Sequence, residues 1–367
     1  MLVLQDNRKS IISPFARTSF VLFIIVLVLY ALADASVYVA DYLNGTLCHE
    51  FRRIMASFGD LFPFSLFEVL IFSLPLILAC VIAFAVRSFR SGEGLRFAVN
   101  FVSLILLLLS GHLIALGIGY KATPVSERMG IEDVEVNEES LATTLLLLVE
   151  EVNELSPKVQ RNSAGVFVSG YGYEELSAKV NESYRTFYDA YGFPKPFESR
   201  AKGVHHGNLM SYLEITGIYT YITGEANVNT AFPDYDTVYV TAHEMAHQRG
   251  ILRENEANFI AYVICSSSDD VALRYSGALT MFEYIASALY KTNAERYKEI
   301  AAGLSDEAWV DIEASRDVAR KYSNTLIGEI SNMVNDAYLK GSGTEGVVSY
   351  GMVVELAVSY LSSENMP

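Results

Sequence analysis

His243-Glu244-Met245-Ala246-His247 runs without a break into Gln248-Arg249-Gly250, and Arg253-Glu254-Asn255-Glu256-Ala257-Asn258 follows closely. On a helix, residues four apart share one face, so both imidazoles can point at one ion with Glu244 beside it. His-Glu-x-x-His is typical of zinc hydrolases. The stretch predicts Zn²⁺ as cofactor, His243 and His247 as ligands, and Glu244 as the base that activates a water at the open zinc position.

A second helix is expected to supply the third ligand. Gly250 is a natural helix terminator, and Glu254 opens a stretch to Cys265 with its own apolar stripe. Glu254 shares a face with Asn258, which can hydrogen-bond a ligating group, whereas Glu256 is in line with the packed face. We expect Glu254 as the metal ligand, with Glu256 as the alternative.

The order Glu-x-x-Ala-Asn after His-Glu-x-x-His resembles the helix of gluzincin metallopeptidases, in which the first Glu is the third zinc ligand. The resemblance implies that role for Glu254 and a supporting one for Asn258. The 6 residues between His247 and Glu254 are fewer than most gluzincins have. They approach the metzincin spacing, in which Gly250 fits but the third ligand would fall at Arg253, which cannot bind zinc.

Composition points to a membrane region. Hydrophobic residues make up 51% of the chain and the mean hydropathy is +0.25. Three apolar segments, at about 18–40, 64–86 and 97–120, are long enough to cross a hydrocarbon layer of ~30 Å. We predict a membrane region over 1–120 and a separate domain over 121–367.

Basic residues predict the orientation. They flank the first segment and fill the short second loop, whereas the first loop has only Arg52 and Arg53 beside acidic residues. The positive-inside rule then places the N-terminus in the cytoplasm and 121–367 outside it. The protein is expected to be an integral, multi-pass membrane protein.

Charge limits the classes of partner that are expected, and cysteine content limits the expected disulfide bonds. Beyond residue 120 there are 19 basic and 36 acidic residues, a net charge of −17, so nucleic acid is not an expected partner. A peptide or protein substrate is expected, and the oligomeric state stays open. Three cysteines make no disulfide framework, although a bridge between Cys48 and Cys265 is conceivable outside the cell.

Two helical stretches, 138–155 and 173–191, precede a region of short strands and turns, and helices follow the motif. The predicted fold class is mainly α with a small β-sheet (α+β), a zincin-like domain after three transmembrane helices. An edge strand before the motif helix can hold extended substrate by backbone pairing. We expect substrate-binding residues within 219–229: Tyr219, Gly224, Glu225, Ala226 and Asn227.

Two further residues are candidates for stabilising a transition state. His205, beside His206, can donate a hydrogen bond or add a ligand, but paired histidines in a loop are also common surface residues. Tyr350 can swing its phenol toward an oxyanion, or simply pack the last helix. Sequence alone leaves both alternatives open.

A wider pattern resembles an uncharacterised family of bacterial membrane proteins, known only as a domain of unknown function with N-terminal spans and a zincin-like domain. The resemblance implies a bacterial cell membrane location, a fold and a metal, but no substrate. The segments that carry it are Met210 to Leu213, Gly217 to Tyr219, Thr223 to Asn229, His243 to Gly250, Arg253 to Tyr262 and Gly346 to Gly351.

Three classes of function fit these features. A membrane-anchored metallopeptidase that acts on an extracytoplasmic polypeptide is favoured, with Glu244 intact. A zinc-dependent membrane sensor is weakened by the short cytoplasmic parts. A non-catalytic substrate-binding protein is the third, and the retained Glu244 argues against it.

Overall fold

The computed structural model describes residues 10–191, 193, 196–323, 325–344 and 352–362. Within them the chain is mainly helical, with two small sheets. The helices are α1 Pro14–Ala35, α2 Val37–Leu43, α3 His49–Gly59, α4 Leu66–Arg90, α5 Gly94–His112, α6 Val125–Met129, α7 Glu138–Leu155, α8 Tyr173–Tyr191, α9 Gly207–Tyr212, α10 Asp234–Gln248, α11 Glu254–Ser266, α12 Val271–Thr292, α13 Ala294–Ala301, α14 Asp306–Tyr322, α15 Leu326–Gly341 and α16 Val353–Ser362. The strands are β1 Gln160–Arg161, β2 Phe167–Val168, β3 Lys202–Val204, β4 Gly217–Thr220 and β5 Glu225–Asn229.

Three helices in the described chain are long and apolar enough to cross a membrane: α1, α4, and a third that runs from α5 through a π-helical turn to Lys121. These three helices indicate membrane association. The first ends earlier than expected, at Ala35, because Ser36 adopts an extended conformation (φ −152°), and α2 begins after it. Residues 36–40 therefore belong to the following segment and not to the span.

The larger sheet has the strand order β3-β5-β4. β5 is central, parallel to β3 and antiparallel to β4, with Tyr219 opposite Ala226 and Gly203 opposite Val228. All five residues of β5 are buried. β4 is the edge strand that lies against α10.

The core of the domain is helical. α10, α11 and α12 pack on one another, α7 and α8 cover them, and Tyr184, Phe259 and Phe282 are among the fully buried side chains. α7 begins with a capping box in which Asn137 and Ser140 bond each other's backbone N–H groups. This core fixes α10 and α11, the two helices that carry the motif.

Cys48 and Cys265 are both buried free thiols, and Cys80 is an exposed free thiol. The structure therefore does not form the conceivable disulfide bridge between Cys48 and Cys265. Cys265 lies in the helical core at the end of α11, while Cys48 packs in a separate cluster with α1 and α2.

Candidate metal centre

The turn between α10 and α11 brings the second helix back to the histidines. The Ile251 N–H bonds the Ala246 carbonyl and Gly250 has φ +94°, which together end α10 in a Schellman-type turn. A Cβ on Gly250 would lie 2.3 Å from the Arg52 guanidinium, so the close approach also requires glycine. The turn places Glu254 at the start of α11, facing α10.

His243, His247 and Glu254 converge. Their candidate ligand atoms all lie within 4.8 Å of one another, with the two Nε2 atoms 3.1 Å apart. The Glu254 Oε2 atom is 3.4 Å from His243 Nε2 and 3.6 Å from His247 Nε2. Two imidazoles and one carboxylate make a donor set that suits zinc and several other divalent cations.

The Ile251 carbonyl orients one ligand. His247 Nδ1 lies 2.9 Å from that oxygen, which makes Nδ1 the donor and leaves the Nε2 lone pair facing the other two groups. The His243 and Glu254 side chains are 11% and 15% exposed, so the cluster is mostly buried and keeps a small area in contact with solvent.

Electrostatics in the cluster favour positive charge. Burial lowers the pKa of His247, but the Glu254 carboxylate outweighs it and raises that pKa to about 9. Burial opposes ionisation of Glu254, yet His247 and His243 hold its pKa well below the ordinary range. A divalent cation supplies the same stabilising charge as the protons do.

Glu244 lies beneath the edge strand. It is 3% exposed, and its carboxylate accepts a hydrogen bond from the Tyr219 N–H of β4. Burial raises its pKa to about 7, and its Oε2 has no hydrogen-bond partner among the described residues. A buried carboxyl group with a pKa near neutral can both accept and return a proton.

The alternative ligand is placed elsewhere. Glu256 accepts the Val125 N–H at 3.1 Å and pairs with Arg253 at 2.9 Å, so its carboxylate faces the start of the domain and not the histidines. Asn258 is buried, but its side-chain amide makes no hydrogen bond to the cluster. The supporting role expected of Asn258 beside a bound metal stays a prediction. Its carbonyl instead accepts the Tyr239 hydroxyl at 2.5 Å, which ties α11 to α10.

Most of the expected substrate-binding residues are structural. Glu225, Ala226 and Asn227 lie on the central strand β5, whose two edges are already paired. Glu225 accepts the N–H groups of Leu66 and Phe67 at 3.0 and 2.9 Å, capping the first turn of α4. The edge-strand role expected for these three residues is contradicted, because β5 is paired on both sides and its polar side chains bind the start of the apolar helix α4.

The other two expected substrate-binding residues, Gly224 and Tyr219, lie outside β5. Gly224 forms the turn before β5 with φ +72°, and a Cβ there would lie 2.1 Å from the Met55 backbone. Tyr219 belongs to the edge strand β4 and lies directly over the motif helix. Of the five, Tyr219 lies beside Glu244, and Gly224 accepts a hydrogen bond from Gln248 at the end of the motif helix.

His205 is an exposed residue whose N–H donates to Glu68 of α4 at 3.1 Å. His206 pairs with the same carboxylate through its N–H and its ring. In the described contacts neither ring reaches the cluster, so the structure does not bring His205 to it. Tyr350 lies outside the described residues.

The other polar residues of the motif, Gln248, Arg249 and Arg253, hold the motif in place. Gln248 donates to the Gly224 carbonyl at 2.6 Å, and the buried Arg249 guanidinium stacks on Tyr184, 4.5 Å from the ring centre. Arg253 donates to the carbonyls of Tyr120 and Ala122 at 2.9 Å each. Arg253 therefore fastens the turn between the two motif helices to the end of the third apolar helix.

Two tyrosines that sequence reasoning missed lie near Glu254. Burial raises the pKa of Tyr338 and of Tyr284, and the Glu254 carboxylate adds to both shifts. They come from α15 and α12, far from the motif in sequence. No local pattern distinguishes them from the other tyrosines of the chain.

A comparison with family models matches residues 44–358 to one family. The comparisons with curated proteins and with solved structures found no match. Because the match covers most of the chain, including the motif and two of the apolar helices, the chain belongs to the family described as Protein of unknown function (DUF3810).

Proposed function

We propose that the protein is a membrane-anchored zinc metallopeptidase that hydrolyses peptide bonds of an extracytoplasmic polypeptide. The observation that carries the proposal is the convergence of two imidazole nitrogens and one carboxylate beside a buried glutamate, under an edge strand. The donor set fits the metal, since the bond from His247 Nδ1 to a carbonyl selects the tautomer that binds zinc through Nε2.

Each protein group has a role in this reaction. His243, His247 and Glu254 would hold the zinc, which supplies a lowered water pKa and polarises the scissile carbonyl. Glu244 accepts the proton of the attacking water and passes it to the leaving amine, since its buried carboxylate lies beside the two histidines. The edge strand β4 positions an extended substrate through backbone pairing.

The orientation completes the proposal. The N-terminus and the loop between α4 and α5 are cytoplasmic, and the domain that holds the metal centre is outside, because basic residues flank those two segments. The substrate is therefore an envelope, secreted or signalling polypeptide.

Glu244→Gln tests the chemistry. We expect purified full-length protein with this change to keep its zinc, because the amide replaces no ligand, and to lose cleavage of a mixed peptide library. The measurement is metal content by atomic emission beside peptide cleavage by mass spectrometry. Cleavage by the Glu244→Gln protein at the wild-type rate would refute the assignment. Zinc without cleavage in the wild-type protein would favour the sensor or binding alternatives.

A further inference from the structure

α15 exposes an apolar stripe that the core does not use. Among described residues after Lys121, six large apolar side chains are more than half exposed, and five of them lie on α15. At 100° per residue these five fall within a sector of about 120°. They are Leu326 at 77%, Ile327 at 57%, Ile330 at 61%, Met333 at 71% and Val334 at 65%.

The opposite side of α15 attaches it to the domain. Gly328 and Leu339 are buried there, and Asn332 donates to Glu214 at 2.7 Å. At the helix start, Thr325 caps Gly328 and donates to the Tyr212 carbonyl at 3.0 Å. The helix is thus held to the domain by a narrow face that includes Gly328, Asn332 and Leu339, and the apolar stripe points away from the domain.

The C-terminal end of α15 packs against one apolar helix, and its N-terminal end is connected to another through α9. At its C-terminal end, Tyr338 packs edge-on against His112 of the third apolar helix, with ring centres 5.8 Å apart. At its N-terminal end it contacts α9, which follows His206, and the His206 ring packs 5.0 Å from Phe72 of α4. A helix tied at both ends to elements that touch the spans lies along the surface from which those spans emerge.

We propose that α15 is a membrane-surface helix whose apolar stripe lies in the outer interface of the bilayer that holds the three apolar helices. At the end of α15 the stripe meets the third apolar helix, where Tyr338 packs against His112. Tyrosine and histidine combine an apolar ring with a polar group, which suits both to a membrane interface. The five residues of the stripe are uncharged and the domain is acidic, so binding does not require anionic lipid. The stripe binds at the boundary between the lipid headgroups and the acyl chains.

α15 is also connected to the turn that precedes Glu254. The Tyr338 and Tyr120 ring centres are 6.4 Å apart, and the Tyr120 carbonyl accepts a hydrogen bond from Arg253 at 2.9 Å. Binding of α15 to lipid therefore holds this turn close to the membrane surface. The inference rests on the apolar helices and on α15, and it does not depend on the proposed hydrolysis.

Collision measurements on spin labels test the inference. The full chain carrying Cys80→Ser is reconstituted in phosphatidylcholine nanodiscs and labelled at Ile330→Cys or at Met333→Cys. Tyr290→Cys on α12 is the matched control, because Tyr290 is an aromatic residue at 54% exposure on another helix. Oxygen partitions into lipid, so a label in the bilayer collides mainly with oxygen. A nickel chelate stays in water, so a label in water collides mainly with the chelate. We expect the ratio of oxygen to nickel collisions to be several-fold higher at 330 and 333 than at 290.

Two results would overturn the inference. Ratios at 330 and 333 equal to that at 290 would mean that the stripe faces water. Low collision with both reagents at 330 and 333 would mean that protein covers the stripe, such as a second copy of the chain. Two labelled positions one turn apart keep the test decisive where one variant does not fold.

Discussion

Asp236, in the first turn of α10, is a buried carboxylate whose Oδ2 has no hydrogen-bond partner in the described part of the chain. Burial raises its pKa well above the ordinary range, and Glu283 and Asp311 add to the shift, while Ser315 opposes it. The folded state therefore binds this proton more tightly than the unfolded state does. The free energy of unfolding falls as the pH rises from about 4 through the raised pKa.

The substitution Asp236→Asn should remove most of this decrease in the free energy of unfolding at high pH. We expect the free energy of unfolding at pH 8 to increase, because asparagine cannot ionise and so places no buried charge at this position. Part of the pH dependence stays, because burial raises the pKa of Glu283 as well. The measurement is the apparent melting temperature of the full chain in detergent at pH 5 and pH 8.

Asp234→Asn is the control for this experiment. The Asp234 carboxylate accepts hydrogen bonds from the Ser169 N–H and hydroxyl at 2.8 and 3.0 Å, so the amide should lower the melting temperature at pH 8. A drop at pH 8 in Asp236→Asn as large as in Asp234→Asn would contradict the account of Asp236.

The convergence of His243, His247 and Glu254 could be predicted because the relation between these residues is local. His243 and His247 are related by one helical turn, and Glu254 lies only one tight turn away. Glu225 and Asn227 could not be assigned, because the groups that bind them, the N–H groups of Leu66 and Phe67 and the Ser65 hydroxyl, come from residues about 160 positions earlier. Buried polar residues and substrate-binding ones look alike in sequence.

At the scale of elements, the edge strand β4 limits the space around Glu244. A Cβ on Gly217 would lie 2.4 Å from Glu244 Oε1 and 2.5 Å from a Val240 methyl. The sequence predicted short strands in this region, but not which one is the edge. The strand order depends on β3, which enters in parallel beside β5, and on no pattern within 217–229.

Gly217→Ala should therefore displace Glu244 without touching the ligands. We expect zinc content to stay unchanged and peptide cleavage to fall by about 10²-fold, the effect of a shift of about 1 Å in a reacting group. Gly172→Ala is the control, because a Cβ there meets no atom within 4 Å. Full cleavage by Gly217→Ala would show that β4 does not constrain Glu244.

On the scale of the whole molecule, the domain and the apolar helices form one bonded unit. Glu225 of the domain accepts from the Leu66 N–H of α4 at 3.0 Å, and the Tyr221 hydroxyl donates to the Leu108 carbonyl of α5 at 3.1 Å. Composition predicted the three apolar helices, since hydropathy is a local property. It could not predict that the domain rests directly on them, because that contact joins residues distant in the chain.

Cysteine accessibility tests the proposed orientation. In a Cys80→Ser background, Tyr290→Cys on the domain should react with a membrane-impermeant maleimide in intact cells. Ser91→Cys in the loop after α4 should react only after permeabilisation. The native Cys48 and Cys265 are buried and serve as the unreactive background. The reverse pattern of labelling would place the domain in the cytoplasm.

The metal content of the purified full chain tests the central claim, a zinc site made by His243, His247 and Glu254. We expect about one zinc per chain in the wild-type protein and in Glu256→Gln, and loss of zinc in Glu254→Gln, because Glu254 faces the histidines and Glu256 does not. Absence of zinc from the wild-type protein after zinc addition, or equal zinc in all three proteins, would contradict the account.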